Sequence, residues 1–259
     1  MNEKYLFISD VHAGGFDKIK NKQLENEFIH VLNWAKENKY KVFFLGDIFD
    51  YWMEFKSGYY PKEFDTILKP IFKLKENQNT VTMITGNHDN WTDRLFPNNN
   101  IEIEENFRIL KLNDKESVLL MHGDGLYQSN GIIKRPFFHL ILRNKLFIWF
   151  FRLLFPDRKG ITIMKKFSYL NRTTRPTTPQ SSKKLTTWFV QEFPKLGLET
   201  VICGHDHIPR LIRHNNLKFL NLGAFFMHKT FALYTENELK LVIWNELANQ
   251  PNLFESTDL

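Results

Sequence analysis

Five short apolar runs, each broken at once by a cluster of Asp, Asn and His, constrain this chain more than any other feature. The runs are Tyr5-Leu6-Phe7-Ile8, Val42-Phe43-Phe44-Leu45, Val81-Thr82-Met83-Ile84, Val118-Leu119-Leu120-Met121 and Thr200-Val201-Ile202-Cys203. Short runs rich in β-branched and aromatic residues suit strands covered on both faces. The clusters that follow are Asp10-Val11-His12, Gly46-Asp47-Ile48-Phe49-Asp50, Gly86-Asn87-His88-Asp89, His122-Gly123-Asp124 and Gly204-His205-Asp206-His207. Coming directly after strands, they belong in loops at the carboxyl ends of an α/β sheet, where such sheets carry their sites.

Between the runs the period changes. Leu24, Phe28, Val31, Leu32 and Ala35 recur at helix spacing, and so do Phe64, Ile67, Leu68, Ile71 and Phe72. Pro70 is expected to bend or end the second helix early. Leu211-Ile212, Phe219-Leu220, the run 231–234 and the run 241–244 read as closing strands, with Asn215-Asn216 turning between the first two. The tail, 248–259, is polar and expected to be loosely held. With 259 residues and 42% apolar content the chain can bury a full core, which excludes a disordered one. Cys203 is the single cysteine, so no internal disulfide can form and a reducing compartment is expected. The start, MNEKYLFISD, shows no secretory pattern, so a cytoplasmic location is expected.

Charge sets the middle of the chain apart. Between Gly131 and Lys184 stand 13 Lys and Arg against one acid, Asp157, while the rest carries 22 basic and 28 acidic residues. A strongly basic segment inside an acidic body points to an anionic partner. The stretch from Pro136 to Phe155 holds six Phe and one Trp. Arg143, Lys145 and Arg152 lie within it, and a central Arg costs about 2.5–3.5 kcal/mol in a bilayer, which argues against a transmembrane span. One or two amphipathic helices fit better. The stretch from Arg172 to Lys184 is Thr-, Pro- and Ser-rich and is expected to contain a loop. The expected division is a core of 1–130 and 194–247 with a basic, Phe-rich insertion over 131–193.

The clusters supply strong metal ligands on five separate loops: Asp10, His12, Asp47, Asn87, His122, His205 and His207. Five of the nine histidines fall in them. Carboxylate and imidazole donors together suit manganese, iron, zinc or similar divalent ions, and this set is enough for two ions sharing one carboxylate. Gly46 permits close approach beside Asp47.

The five clusters, in this order, resemble the calcineurin-like metallophosphoesterase superfamily over roughly residues 4–245. The resemblance implies a four-layered αββα sandwich with a helical lid. It also implies one metal on Asp10, His12, Asp47 and His207, and a second on Asp47, Asn87, His122 and His205. Two close cations lower the pKa of a shared water and neutralise phosphoryl oxygens during in-line attack. By the same resemblance His88 assists the leaving oxygen, Asp89 orients His88, and Asp50 and Asp124 steady the ligands. A non-catalytic scaffold on this fold is disfavoured, because no ligand is missing.

Gly46-Asp47-Ile48-Phe49-Asp50-Tyr51-Trp52, Thr85-Gly86-Asn87-His88-Asp89-Asn90-Trp91 and His122-Gly123-Asp124-Gly125-Leu126 are similar, more narrowly, to the UDP-2,3-diacylglucosamine diphosphatase family of lipid A synthesis. Better-known members carry Arg at the position of His88; His is the general superfamily form. This resemblance implies two manganese ions and a nucleotide-linked glycolipid substrate cleaved at its pyrophosphate. It further implies peripheral contact with the anionic inner membrane surface. Expected substrate contacts are Asn87, His88, Asn130, Lys165, Lys166, Arg172, Arg175 and His205. A nucleotide or nucleic-acid phosphodiesterase using the same metals stays open as the alternative, although an insertion this rich in Phe and Leu disfavours nucleic acid.

Overall fold

The computed structural model describes residues 3–77, 80–128, 130, 133–174 and 179–254. The first apolar run is β1 (Tyr5–Ile8), and α1 (Lys18–Glu37) returns the chain to β2 (Lys41–Leu45). Asp17 starts α1, its carboxylate accepting from the Ile19 and Lys20 N–H groups at 3.0 Å each. Next come α2 (Asp65–Lys73), β3 (Val81–Ile84), α3 (Leu95–Asn98), β4 (Glu102–Glu104), β5 (Phe107–Lys111) and β6 (Ser117–Met121). A small ribbon of β7 (Leu126–Tyr127) and β8 (Ile133–Lys134) precedes α4 (Phe137–Leu142), α5 (Lys145–Leu154), α6 (Arg158–Thr174) and α7 (Pro179–Gln191). The order ends with β9 (Thr200–Cys203), β10 (Arg210–His214), β11 (Leu217–Asn221), α8 (Phe225–His228), β12 (Thr230–Thr235), β13 (Glu238–Asn245) and β14 (Gln250–Leu253).

The strands form two mixed sheets, ordered β14-β13-β12-β1-β2-β3-β4 and β10-β11-β9-β6-β5. Within them β1, β2 and β3 run parallel, as do β6, β9 and β11. Strand alternation sorts side chains into three cores. Tyr5, Phe7, Phe43 and Leu45 meet Val118, Leu120, Ile202 and Leu220 between the sheets. Leu6, Ile8, Val42 and Phe44 point the other way, onto Leu24, Phe28, Val31 and Ile67. Leu119, Met121, Val201 and Phe219 are covered by Leu185, Trp188 and Phe189 of α7. The layers are therefore helix, sheet, sheet, helix, the sandwich expected from the sequence. Burial on both faces explains why the strand runs are continuously apolar.

Several expectations shift. α2 runs past Pro70 to Lys73. The proline forfeits one bond, to the Thr66 carbonyl, while buried Ile67, Leu68 and Ile71 hold the helix down. The tail is not all loose, because Gln250–Leu253 pairs antiparallel with β13. Pro251 is tolerated there because β14 is an edge strand. The stretch 131–193 divides in two. α7 forms the outer layer over the second sheet, whereas α4, α5 and α6 dock Leu142, Phe147, Phe151, Ile161 and Met164 against the first core. The apolar stretch from Pro136 is a helix pair, α5 being capped by Asn144. Among the described residues no helix is long and apolar enough to cross a membrane. Of the loop expected within 172–184, residues 175–178 lie outside the described residues, and helix flanks them on both sides.

Candidate metal centre

The loops after β1, β2 and β3 continue the parallel ladder beyond the strands. The Asp10 N–H donates to the Gly46 carbonyl (3.1 Å), His12 N–H to the Asp47 carbonyl (3.0 Å), and Trp52 N–H to the His88 carbonyl (3.0 Å). On the second sheet the Gly204 N–H donates to the His122 carbonyl at 2.8 Å. The His205 N–H donates to Asp10 Oδ2 at 2.9 Å and joins the two sheets at this edge. Backbone pairing thus brings five loops to one place.

The local backbone is turned to aim side chains inward. Asp10, His12, Asp47, His205 and His207 adopt φ values of 50°, 51°, 55°, 73° and 61°. Left-handed backbone costs a non-glycine residue on the order of 1–3 kcal/mol and clusters at functional sites. Two glycines leave room for the side chains. A β-carbon at Gly86 would overlap Asp47 Oδ1, and one at Gly46 would stand 2.5 Å from His122 Nδ1.

Ligand atoms of Asp10, His12 and His207 all lie within 4.8 Å of one another, and so do those of Asp47, His122 and His205. His207 Nε2 is 3.2 Å from Asp10 Oδ1. His122 Nε2 is 3.2 Å from Asn87 Oδ1. Asp47 Oδ2 lies between the groups, 3.7 Å from His12 Nε2 and 3.3 Å from His122 Nε2. All seven residues expected as ligands stand together, with Asp47 in the middle.

The donors fit divalent cations. Among the described residues Asp10 Oδ1 and His12 Nε2 are buried and make no well-aligned hydrogen bond, their contacts being with other candidate ligands, a costly state that a cation relieves. Burial pushes the Asp10 carboxyl up, but His12 and His207 outweigh it and hold it well below the usual range. Asp47 is likewise held low against burial, by His122, His88 and His12. In return, and again against burial, the carboxylates push His12 and His122 up to about 10. Burial and the neighbouring His122 take His205 down to about 3. The centre is thus an electrostatic well for positive charge, where cations compete with protons.

The supporting contacts differ in part from expectation. Asp50 Oδ1 meets Nδ1 of the candidate ligand His12 at 3.1 Å, a contact that can set the ring's direction. His122 Nδ1 donates to the Leu45 carbonyl at 2.8 Å. Asp89, however, does not orient His88. Both its oxygens are used elsewhere, accepting from the Gly86 and Ile48 N–H groups at 2.8 Å each, and so it ties two loops together. Burial and Asp47 push its carboxyl up to about 6. The His88 ring is held through Nδ1 by the Asp50 carbonyl (2.7 Å) and by Ser168 Oγ (3.2 Å). Burial keeps His88 below the ordinary histidine range. Among the described residues Asp124 makes no hydrogen bond to the ring of a candidate histidine ligand. Its Oδ2 gathers Arg135 Nε (3.1 Å), Arg143 Nε (3.2 Å) and His139 Nδ1 (3.5 Å) from the inserted segment.

The expected substrate contacts fare unevenly. Asn87, His88 and His205 are at the centre. Lys165 stands 5.2 Å over the Tyr51 ring and 4.0 Å from Glu63. Lys166 and Asn130 are exposed. The Arg172 side chain and all of Arg175 lie outside the described residues. Sequence reading missed Ser168 and Arg143. Nothing in the sequence marks Ser168, whereas Arg143 was visible as a cation interrupting an apolar stretch.

A family model for calcineurin-like phosphoesterases matches residues 3–209. A UDP-2,3-diacylglucosamine hydrolase of Porphyromonas gingivalis (strain ATCC BAA-308 / W83) is 28% identical over 149 residues, 56% of this chain and 55% of that protein. The match thus spans about half the length of this relative. A UDP-2,3-diacylglucosamine hydrolase of Histophilus somni (strain 2336) is 24% identical over 207 residues, 79% of this chain and 84% of that one. Among solved structures, Vacuolar Protein Sorting 29 from Cryptosporidium parvum aligns with a TM-score of 0.47 at 16% identity, covering 98% of this chain and 96% of that one. With most of its length matched and its carboxylate and imidazole donors converging at one edge, the chain belongs to the calcineurin-like phosphoesterase family and is a metal-dependent phosphohydrolase.

Proposed function

We propose that this enzyme hydrolyses the pyrophosphate bond of UDP-2,3-diacylglucosamine, giving UMP and 2,3-diacylglucosamine 1-phosphate. The observation that carries the substrate is the inserted helical segment. It seats Ser168 beside Asp50 and His88, and it presents both apolar and cationic side chains next to the centre. A cavity of about 940 Å³ lies between α5 and the loop from Asn90 to Asp93. Trp149, Ile148 and Leu153 form its apolar wall, and Arg143, Lys145 and Arg152 supply positive charge. None of the candidate ligands lines it, which suits acyl chains held away from the reacting phosphorus. The names of the two relatives support the same substrate class.

Asp10, His12, Asp47 and His207 would hold one ion, and Asp47, Asn87, His122 and His205 the other, manganese being the favoured metal. When bound, the pair supplies an activated water and charge neutralisation at phosphorus. The chain's own groups do the rest. Asp50 fixes the His12 ring through Nδ1 and leaves Nε2 as the donor that would hold an ion. The Asp50 carbonyl engages His88 Nδ1, leaving Nε2 for the proton that reaches the leaving oxygen. A bound pyrophosphate adds negative charge beside this imidazole and shifts it toward its protonated form. Lys165, Lys166, Arg172, Arg175 and Asn130 are assigned to the substrate's phosphates and sugar, and α4–α6 to the lid.

The lid also leaves Phe137, Leu146, Trp149, Phe150, Leu153 and Leu154 exposed among basic residues. That composition suits a peripheral anionic membrane surface, at about 1 kcal/mol per Lys or Arg near it. Arg152 is not one of those contacts; its Nη2 donates to the Trp91 carbonyl at 3.1 Å. Sedimentation with anionic vesicles checks this. Wild-type protein pellets and a Phe150→Asp/Leu154→Asp variant stays in the supernatant. Equal pelleting of both removes the membrane role.

The substrate assignment is tested by product analysis with Mn²⁺ on UDP-2,3-diacylglucosamine, a dinucleotide and bis-p-nitrophenyl phosphate. UMP release from the first is the expected result. Cleavage of the simpler diesters without UMP release contradicts it and selects the nucleotide or nucleic-acid phosphodiesterase reading.

A further inference from the structure

One side chain of the inserted segment reaches into the support of the candidate ligands. Arg143 follows α4 as its C-cap residue and is only 12% exposed. Its guanidinium makes five hydrogen bonds. Nε donates to Asp124 Oδ2 (3.2 Å). Nη1 donates to Thr85 Oγ1 (3.1 Å) and to the Glu105 carbonyl (2.8 Å). Nη2 donates to the Thr85 carbonyl (2.9 Å) and to the Gly86 carbonyl (2.8 Å). Only a planar fork of five N–H donors can serve such a set; a lysine ammonium has three and no fork.

The partners are not scattered. Gly86 immediately precedes Asn87, and Asp124 stands two residues after His122. Asn87 Oδ1 and His122 Nε2 are 3.2 Å apart and belong to the same proposed ion. None of the five bonds reaches a residue next to Asp10, His12 or His207. The Gly86 residue is moreover held from both ends. Its N–H donates to Asp89 Oδ1 at 2.8 Å, and its carbonyl accepts from Arg143. Pinning both groups fixes the direction in which the chain enters Asn87.

We propose that Arg143 is a positioning residue for the second ion, the one assigned to Asp47, Asn87, His122 and His205. It locks the Gly86 carbonyl and the Asp124 carboxylate, and it does so from the insertion, so seating of the insertion completes that ion's site. The proposal rests on the two-ion reading of the centre. Arg135 Nε also meets Asp124 Oδ2, at 3.1 Å, so the buried carboxylate keeps a cationic partner when Arg143 is removed.

The test is Mn²⁺ binding to the metal-depleted full chain, followed by calorimetry and by electron paramagnetic resonance. Wild-type protein is expected to take up two ions and to show the spectrum of an exchange-coupled pair. In Arg143→Ala the Kd of the weaker ion rises roughly 10–100-fold, the range for lost support of a metal ligand, and that of the tighter ion stays within about twofold. At one equivalent the variant shows isolated Mn²⁺. Arg143→Lys keeps a charge on Asp124 but cannot span three carbonyls, so it shifts the weaker ion in the same direction by less. If Arg143→Ala does not fold, Arg143→Lys is judged by the same criterion. A folded variant that binds both ions as wild type does overturns the proposal. Equal weakening of both ions also overturns it, since that marks general support of the fold. Wild-type protein that saturates at one ion removes the two-ion reading itself, and the proposal with it.

Discussion

At the scale of single residues, the centre depends as much on what holds the ligands as on the ligands. Asp50 is the clearest instance. One carboxylate oxygen holds the His12 ring, the other accepts from Ser168 Oγ at 2.6 Å, and the backbone carbonyl holds His88. Removing the Ser168 hydroxyl takes one donor from a buried carboxylate oxygen and frees the His88 ring on one side. Ser168→Ala is therefore expected to lower turnover roughly tenfold or more, as loss of support to metal-centre residues does, while circular dichroism stays native. Turnover equal to wild type would show that the contact is incidental. The candidate ligands were legible because Asp, Asn and His after apolar runs are chemically conspicuous. Ser168 was not, and Arg143 showed only as a cation within an apolar stretch, because what they bond to lies far away in the chain. Asp89 was misread for the converse reason. Its place next to His88 suggested a partnership, but its carboxylate turns to the backbone N–H groups of Ile48 and Gly86.

At the scale of elements, loops that extend the sheet ladder turn strand order into site geometry. β1, β2 and β3 are parallel neighbours, so their carboxyl-end loops lie side by side and bond to one another. The strands could be read from apolar runs and α1 from its period. What could not be read was how far local rules bend. α2 absorbs Pro70 because it is short and its other face is buried, and the polar tail gains a strand because β13 offers a free edge. α7 reads like part of the basic insertion by charge, yet Leu185, Trp188 and Phe189 make it a core layer. α1 gives a test of element stability free of the chemistry. Asp17→Ala removes the cap that accepts from Ile19 and Lys20 and should cost about 1 kcal/mol. Urea denaturation measures the cost, and hydrolytic activity of the folded fraction is expected to stay unchanged. A stability equal to wild type would mean that the first turn of α1 contributes little.

At the scale of the whole molecule, the chain divides its labour by charge. The acidic body gathers histidines and carboxylates into a well for cations, and the basic insertion bonds back onto that well through Arg143 and Ser168. In the proposed two-ion centre the halves share one member, and Asp47 Oδ2, 3.7 Å from His12 Nε2 and 3.3 Å from His122 Nε2, is assigned that part. The most direct measurement is the Mn²⁺ stoichiometry of metal-depleted wild-type and Asp47→Ala proteins, read together with hydrolysis. Two ions per wild-type chain, at most one weakly held ion in the variant and loss of activity with it are the predicted result. An Asp47→Ala chain that binds two ions as tightly as wild type, or that hydrolyses its substrate at the wild-type rate, would contradict the shared centre.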